Sequence, residues 1–278
     1  MTIEKGIIDH YSRGGLMETI QQALLQSGKD MAALVPDDLS AIDELHIGGR
    51  ATTAHLMTYL QFRPEHHVLD VGSGLGGAAR YVVAQNKAAV SCIDLTPEYC
   101  NTAAALTGLV GMGEYILYRQ GSALALPFPD AEFDGAYTIH TAMNIQDKTT
   151  FYAQIYRVLK PGAFFGLYNV MAGPAPEPLE FPLPWATTAE TSFLISPDDL
   201  KVLLSQTGFE VITEDDLRGY ALLTLKKFLE SDPSPLGPHI IMGDDYKIKI
   251  TNLLNNITKK KCAPRVIICR KPTLEEIT

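Results

Sequence analysis

Val68-Leu69-Asp70-Val71-Gly72-Ser73-Gly74-Leu75-Gly76-Gly77 is the stretch on which the reading of this chain turns. A short apolar run ends in an acidic residue, and four glycines follow within six positions. That is how a buried parallel strand turns sharply into a helix while leaving bare backbone for a ligand to approach. Two spacings coincide in it. Gly72, Gly74 and Gly77 fit G-x-G-x-x-G, and Asp70 with Gly72, Gly74 and Gly76 fits D-x-G-x-G-x-G. The turn alone does not choose between them.

Composition narrows the class. With 278 residues the chain can build one well-buried α/β domain with embellishments, or two small domains. Its 46% apolar and 20% charged residues are those of a water-soluble globular protein. The formal charge of -9 argues against a nucleic-acid partner, since phosphate binding needs a basic face. The basic block Lys259-Lys260-Lys261 reads as a solvated helix end. Cys92, Cys100, Cys262 and Cys269 show no metal-ligand spacing, and Cys92 and Cys269 sit in apolar runs, so reduced, buried thiols and no metal are expected. Met1 to Asp9 carries Glu4 and Lys5 and lacks the apolar centre of a secretory leader. No apolar run approaches the roughly 20 residues that cross a membrane. A cytoplasmic protein with no membrane span is expected.

Along the chain, residues 1–60 predict a helical N-terminal cap. Leu16, Ile20, Leu24 and Leu25 recur at helical spacing, Pro36-Asp37-Asp38 opens a helix, and another follows Gly48-Gly49. From residue 61 to 278 strands and helices alternate. Strands are predicted at 67–71, 89–93, 115–119, 133–139, 164–170, 209–213 and 265–269. Thr96-Pro97-Glu98 supplies an N-cap, a first-turn proline and an acidic first turn. Another helix from about Asp147 stops at Pro161-Gly162, and Ser196 and Gly208 bracket the next. The alternation predicts an α/β fold, a doubly wound, mostly parallel seven-stranded sheet. Two segments exceed it. Residues 171–195, with Pro174, Pro176, Pro178, Pro182 and Pro184, read as an irregular excursion. Residues 219–262 read as two inserted helices broken by Pro233, Pro235 and Pro238. Both follow strand ends, where long loops cover a site or build a partner surface; a homodimer is one reading of the second.

Ligands of such sheets bind at the carboxyl ends of the strands. The glycines follow strand one, and Asp94 follows strand two, placed to accept from ribose hydroxyls. A dinucleotide fits these as well as any adenosine ligand does. Farther on, Ile93-Asp94-Leu95-Thr96-Pro97, Gly121–Phe128, Phe133-Asp134 and Arg157–Gly162 appear in order. This ordered set resembles the class I S-adenosylmethionine (SAM) methyltransferases, in the small-molecule subgroup of the ubiquinone/menaquinone-biosynthesis and glycine/sarcosine enzymes. The likeness covers about residues 45–215. His10-Tyr11, Glu44–Gly49 and His140–Asp147 resemble the same subgroup.

The resemblance implies a Rossmann-like methyltransferase fold with SAM as cofactor. Gly72, Gly74 and Gly76 would lie against its methionine part, with Asp70 near the amino group. Asp94 would bind the ribose, Leu95 pack on the adenine, and Ser122 and Ala123 meet its edge. Relatives often carry Asp at the position of Ser122, whose neutral hydroxyl is the weaker acceptor. His140, after strand four, is a candidate general base, acceptor-orienting residue or wall of the SAM pocket. Tyr11 is a second catalytic candidate. His46, Arg50, Asn144 and Trp185 are candidates for the acceptor, Arg50 as a carboxylate clamp and Trp185 as a stacking wall. The expected activity is methyl transfer to a small molecule at nitrogen, carbon or oxygen. A non-catalytic SAM-binding protein and a nicotinamide-dependent oxidoreductase are the alternatives.

Overall fold

Strands His67–Val71 (β1), Ala89–Asp94 (β2), Ile116–Gln120 (β3), Phe133–Ile139 (β4), Leu159–Ala172 (β5), Glu210–Asp216 (β6) and Cys262–Arg270 (β7) join in one sheet, in the order β3-β2-β1-β4-β5-β7-β6. This computed structural model describes residues 2–175, 177–232 and 234–277; Pro176 and Pro233 lie outside the described residues. Strands β1 to β5 pair in parallel, while β7 runs antiparallel between β5 and β6. The strand order reverses between β1 and β4, which opens the ligand crevice of doubly wound sheets at the Gly72 turn.

The helices, in chain order, are α1 (Ile3–Tyr11), α2 (Leu16–Gln26), α3 (Pro36–Asp43), α4 (Arg50–Leu60), α5 (Gly77–Asn86), α6 (Pro97–Leu109), α7 (Lys148–Val158), α8 (Pro197–Thr207), α9 (Arg218–Glu230), α10 (His239–Met242), α11 (Tyr246–Thr258) and α12 (Leu274–Ile277). Alternation along β1 divides the core. Leu69 and Val71 face one layer with Phe165, Phe151 and Ile155 of α7, and Leu200 and Leu204 of α8. Val68 faces the other, with Leu56 and Leu60 of α4, Val82 and Val83 of α5, and Tyr137 and Tyr168. Thus α4, expected in the N-terminal cap, lies on the sheet, and α1 to α3 stand beyond it. Among the described residues between 219 and 262 there are three helices rather than two, because α10 makes a separate turn whose Ile240 and Ile241 pack with α2 and α3.

Local chemistry explains most boundaries. Ser196 accepts from the Asp199 N–H, and Gly208, at φ 106, ends α8 as expected. Thr96 precedes α6 but makes no side-chain cap. Glu98 reaches instead to α2 and accepts from the N–H groups of Arg13, Gly14 and Leu16 at 2.7, 3.1 and 3.1 Å. Burial pushes this carboxyl up, but the three donors outweigh it and hold it below its ordinary range.

One buried ion pair ties the N-terminal helices to the sheet. Arg80 of α5 is fully buried and bonds Asp43 of α3 at 2.7 Å and the Leu75 carbonyl at 2.6 Å through Nη2. Its Nη1 donates to Thr107 of α6 at 2.8 Å. Removing one partner of such a pair leaves a bare buried charge. Arg80→Met is therefore expected to cost about 3–5 kcal/mol in urea denaturation, with much of the loss recovered in Arg80→Met/Asp43→Leu. Equal losses in the single and double variants would contradict this account.

Candidate active site

The β1 turn is pinned to β2 by the Gly72 and Ser73 N–H groups, which donate to the Ile93 carbonyl at 2.8 and 3.1 Å. A Cβ at Gly72 would fall 2.1 Å from Thr141 Oγ1, so this glycine lets the β1 and β4 ends approach. Gly74, at φ +53, has nothing within 4 Å of that position and faces open space on the cavity. Gly76 is a correction to the sequence reading. It is not on the cavity wall; a Cβ there would lie 2.0 Å from the Tyr118 hydroxyl, so the glycine serves helix–strand packing.

Two acids stand beside the turn on the wall of a cavity of about 350 Å³. Asp70 is buried and accepts from the Tyr137 hydroxyl at 3.0 Å. Burial pushes its carboxyl up to about 8 against the pull of that bond, toward its protonated form. Asp94 accepts from Gly74 N and Thr96 N at 2.8 and 2.9 Å, one on each oxygen. Burial raises it too, and these donors offset part of the shift. Leu95, Ser122 and Ala123 line the same side. Ser122 Oγ donates to Glu4 Oε1 of α1 at 2.6 Å and accepts from Leu124 N at 3.1 Å.

Over the β4 end the lining changes character. The Tyr11 hydroxyl donates to Asn144 Oδ1 at 3.0 Å, while Asn144 Nδ2 donates to the carbonyls of Trp185 and Thr191 at 2.8 and 2.9 Å. Burial and the Asp94 charge raise the Tyr11 phenol further from ionisation. These residues line the cavity as a clasp between α1, the β4 loop and the proline-rich excursion. Trp185 is 2% exposed and gives its Nε1–H to Ser192 at 2.9 Å, leaving only its ring as wall. Arg50 is a second correction. It is absent from the wall, because its guanidinium is held by Glu44 at 2.6 Å, by Asp37 and by the Pro36 carbonyl. Among the described residues, Arg13 is the one lysine or arginine on the wall, and its Nε and Nη2 are spent on the carbonyls of Ile241 and Met242.

His46 and His140 do meet, with ring centroids 5.8 Å apart, and both pack on Tyr168. The His46 Nε2–H lies 3.0 Å from the Gly49 carbonyl and 3.1 Å from Thr53 Oγ1, whose own proton goes to Glu44. That fixes the neutral tautomer with Nδ1 as acceptor. Burial pulls His46 down to about 4. His140 sits at φ 50, a strained conformation for a non-glycine residue, anchored by its N–H to the Tyr168 carbonyl at 2.7 Å. Burial first, and His46 second, hold it neutral. Its Nε2 is buried without a partner, as is the Tyr99 hydroxyl on the same cavity. Orphaned polar atoms in a built pocket fit a polar ligand that completes their bonds.

Sequence reasoning missed Tyr99, Asp43, Ile241 and Met242 on the wall. Tyr99 read as a core position of its helix, and nothing local marks the α10 pair, which long-range folding delivers.

A sheet of this order, with an acidic glycine turn after β1 and a carboxylate after β2, defines a class of nucleoside-cofactor enzymes. The methyltransferase-domain family model matches residues 69–167. An O-methyltransferase of Aspergillus nomiae is 30% identical over 185 residues, covering 66% of this chain and 81% of that protein. A 24-methylenesterol C-methyltransferase of Oryza sativa is 31% identical over 57% of this chain; the match spans 45% of that enzyme. Among solved structures, a geranyl diphosphate C-methyltransferase from Streptomyces coelicolor superposes with a TM-score of 0.72 at 12% identity, covering 98% of each chain. The chain belongs to the class I SAM-dependent methyltransferases that act on small molecules, and its cofactor is SAM. The nicotinamide reading of the glycine spacing falls with that assignment. No helix among the described residues is long and apolar enough to cross a membrane.

The two glycines are expected to respond differently to a methyl group. Gly76→Ala, which meets Tyr118, should lower the urea midpoint clearly more than Gly74→Ala, which carries only the left-handed backbone cost of about 1–2 kcal/mol. Equal losses would remove the packing role assigned to Gly76.

Proposed function

We propose that this enzyme methylates a hydroxyl oxygen of a neutral, largely apolar small molecule, with His140 receiving the hydroxyl proton. The observation that carries the reading is the buried, unpartnered Nε2 of a neutral His140 on the cavity wall. Met143, Trp185 and Met242 line the same cavity, and among the described residues its one lysine or arginine, Arg13, gives Nε and Nη2 to backbone carbonyls. Likeness to the Aspergillus O-methyltransferase supports oxygen as the acceptor atom.

When bound, the cofactor supplies a methyl group already activated on a sulfonium. The protein's tasks are then to bind, align and exclude water. In this reading Gly72 and Gly74 give backbone room to the methionine part, Asp70 faces its ammonium, and Asp94 accepts from the ribose. Leu95 packs on the base, and Ser122 and Ala123 meet its edge. His140 accepts the acceptor's O–H and takes its proton as the oxygen is methylated. Tyr11 and Asn144 close the roof, His46 walls the acceptor, and Trp185 excludes water above it.

Three measurements test this. Asp94→Ala is expected to keep the fold by circular dichroism yet lose S-adenosylhomocysteine binding; near wild-type affinity would remove the ribose assignment. His140→Gln is expected to bind S-adenosylhomocysteine like wild type while turnover of neutral phenols drops about a hundredfold. Unchanged turnover, or a product methylated on carbon or nitrogen, would overturn the reading. The third concerns protons. Burial pushes the Asp70 carboxyl up to about 8, and an adjacent ammonium favours its ionised form, so binding is expected to expel a proton. SAM affinity should therefore rise with pH below about 8, with proton release visible by calorimetry in buffers of different ionisation enthalpy. If Asp70→Asn releases as many protons as wild type, Asp70 does not face the ammonium.

A further inference from the structure

From the contact between α1 and the loop after β3 we infer that Glu4 is the acceptor for the exocyclic amino group of the cofactor's adenine. The inference rests on the cofactor placement proposed above. In the sheet order β1-β2-β3, the β1 turn faces the methionine part and the β2 end faces the ribose, so the base falls beside the loop after β3. An adenine there presents an N–H₂ donor that needs an acceptor. Ser122 offers only a neutral hydroxyl with one lone pair open, a weaker acceptor than a carboxylate. Its proton goes to Glu4 at 2.6 Å, and its oxygen already accepts from Leu124 N at 3.1 Å.

Glu4 lines the cavity beside Ser122, Ala123 and Leu95. Its Oε1 takes the Ser122 proton, and its Oε2 has no hydrogen-bond donor among the described residues. The serine hydroxyl thus positions a carboxylate that the strand loop itself lacks. The charge comes from a helix that is clasped over the cavity at its other end by Tyr11 and Asn144.

A carboxylate discriminates sharply between adenine and hypoxanthine, because the 6-oxo group turns a donor into an acceptor and sets oxygen against oxygen. The test is calorimetric titration with S-adenosylhomocysteine and its 6-oxo analogue, S-inosylhomocysteine. Wild type is expected to prefer the adenosyl compound by about tenfold, the low end for a charged hydrogen bond at a half-open site. Glu4→Ala should lose that preference, and Glu4→Gln, whose amide can both accept and donate, should lose it while retaining affinity for both ligands. Preference surviving in Glu4→Ala would overturn the assignment of Glu4 alone. Failure of wild type to bind S-adenosylhomocysteine would instead strike the cofactor placement on which it rests.

Discussion

The Arg80–Asp43 pair is the constraint on which the rest of the site depends. The buried guanidinium draws partners from three directions, the Asp43 carboxylate, the Leu75 carbonyl and the Thr107 hydroxyl, while its Nε stays unpartnered. Leu75 belongs to the glycine turn, Asp43 to the N-terminal helices, and Thr107 to the helix after β2. One side chain therefore fixes the ligand turn against both structures that enclose it. A hydrophobic residue of similar size could fill the volume but could not hold that carbonyl in place.

Much of this was legible in the sequence because it depends on local chemistry. The β1 run, its terminal acid and the glycines that follow encode a strand, a turn and a helix within some twenty residues, and the structure keeps the strand at His67–Val71. The β7 insertion between β5 and β6 was not legible, since an antiparallel strand carries the same apolar run as a parallel one. Nor was the number of helices before it, where prolines marked breaks without saying how many turns lay between them.

Within the site, sequence reading placed Asp94 and His140 at strand ends and, through the family resemblance, Asp70 and Ser122; all four reach the cavity. It failed where two explanations share one pattern. Gly76 fits a ligand motif, but its missing Cβ is needed by Tyr118. Arg50 resembles a clamp until Glu44 and Asp37 are seen to hold it. Glu4 read only as a charge near the start of the chain, because its partner lies 118 residues away.

The cavity is divided electrically, and the division follows from burial. At the β2 end Asp94 accepts from two backbone N–H groups, and at the β1 end Asp70 accepts from the Tyr137 hydroxyl, donors that favour the ionised form of each buried carboxyl when a cation or hydroxyl arrives. At the β4 end burial drives the titratable groups to their neutral forms: imidazole for His46 and His140, phenol for Tyr11. A sulfonium donor is cationic and suits the first half, while a charged acceptor would have to shed its water in the second without compensation. The desolvation that keeps the histidines neutral is thus the same property that selects an uncharged acceptor.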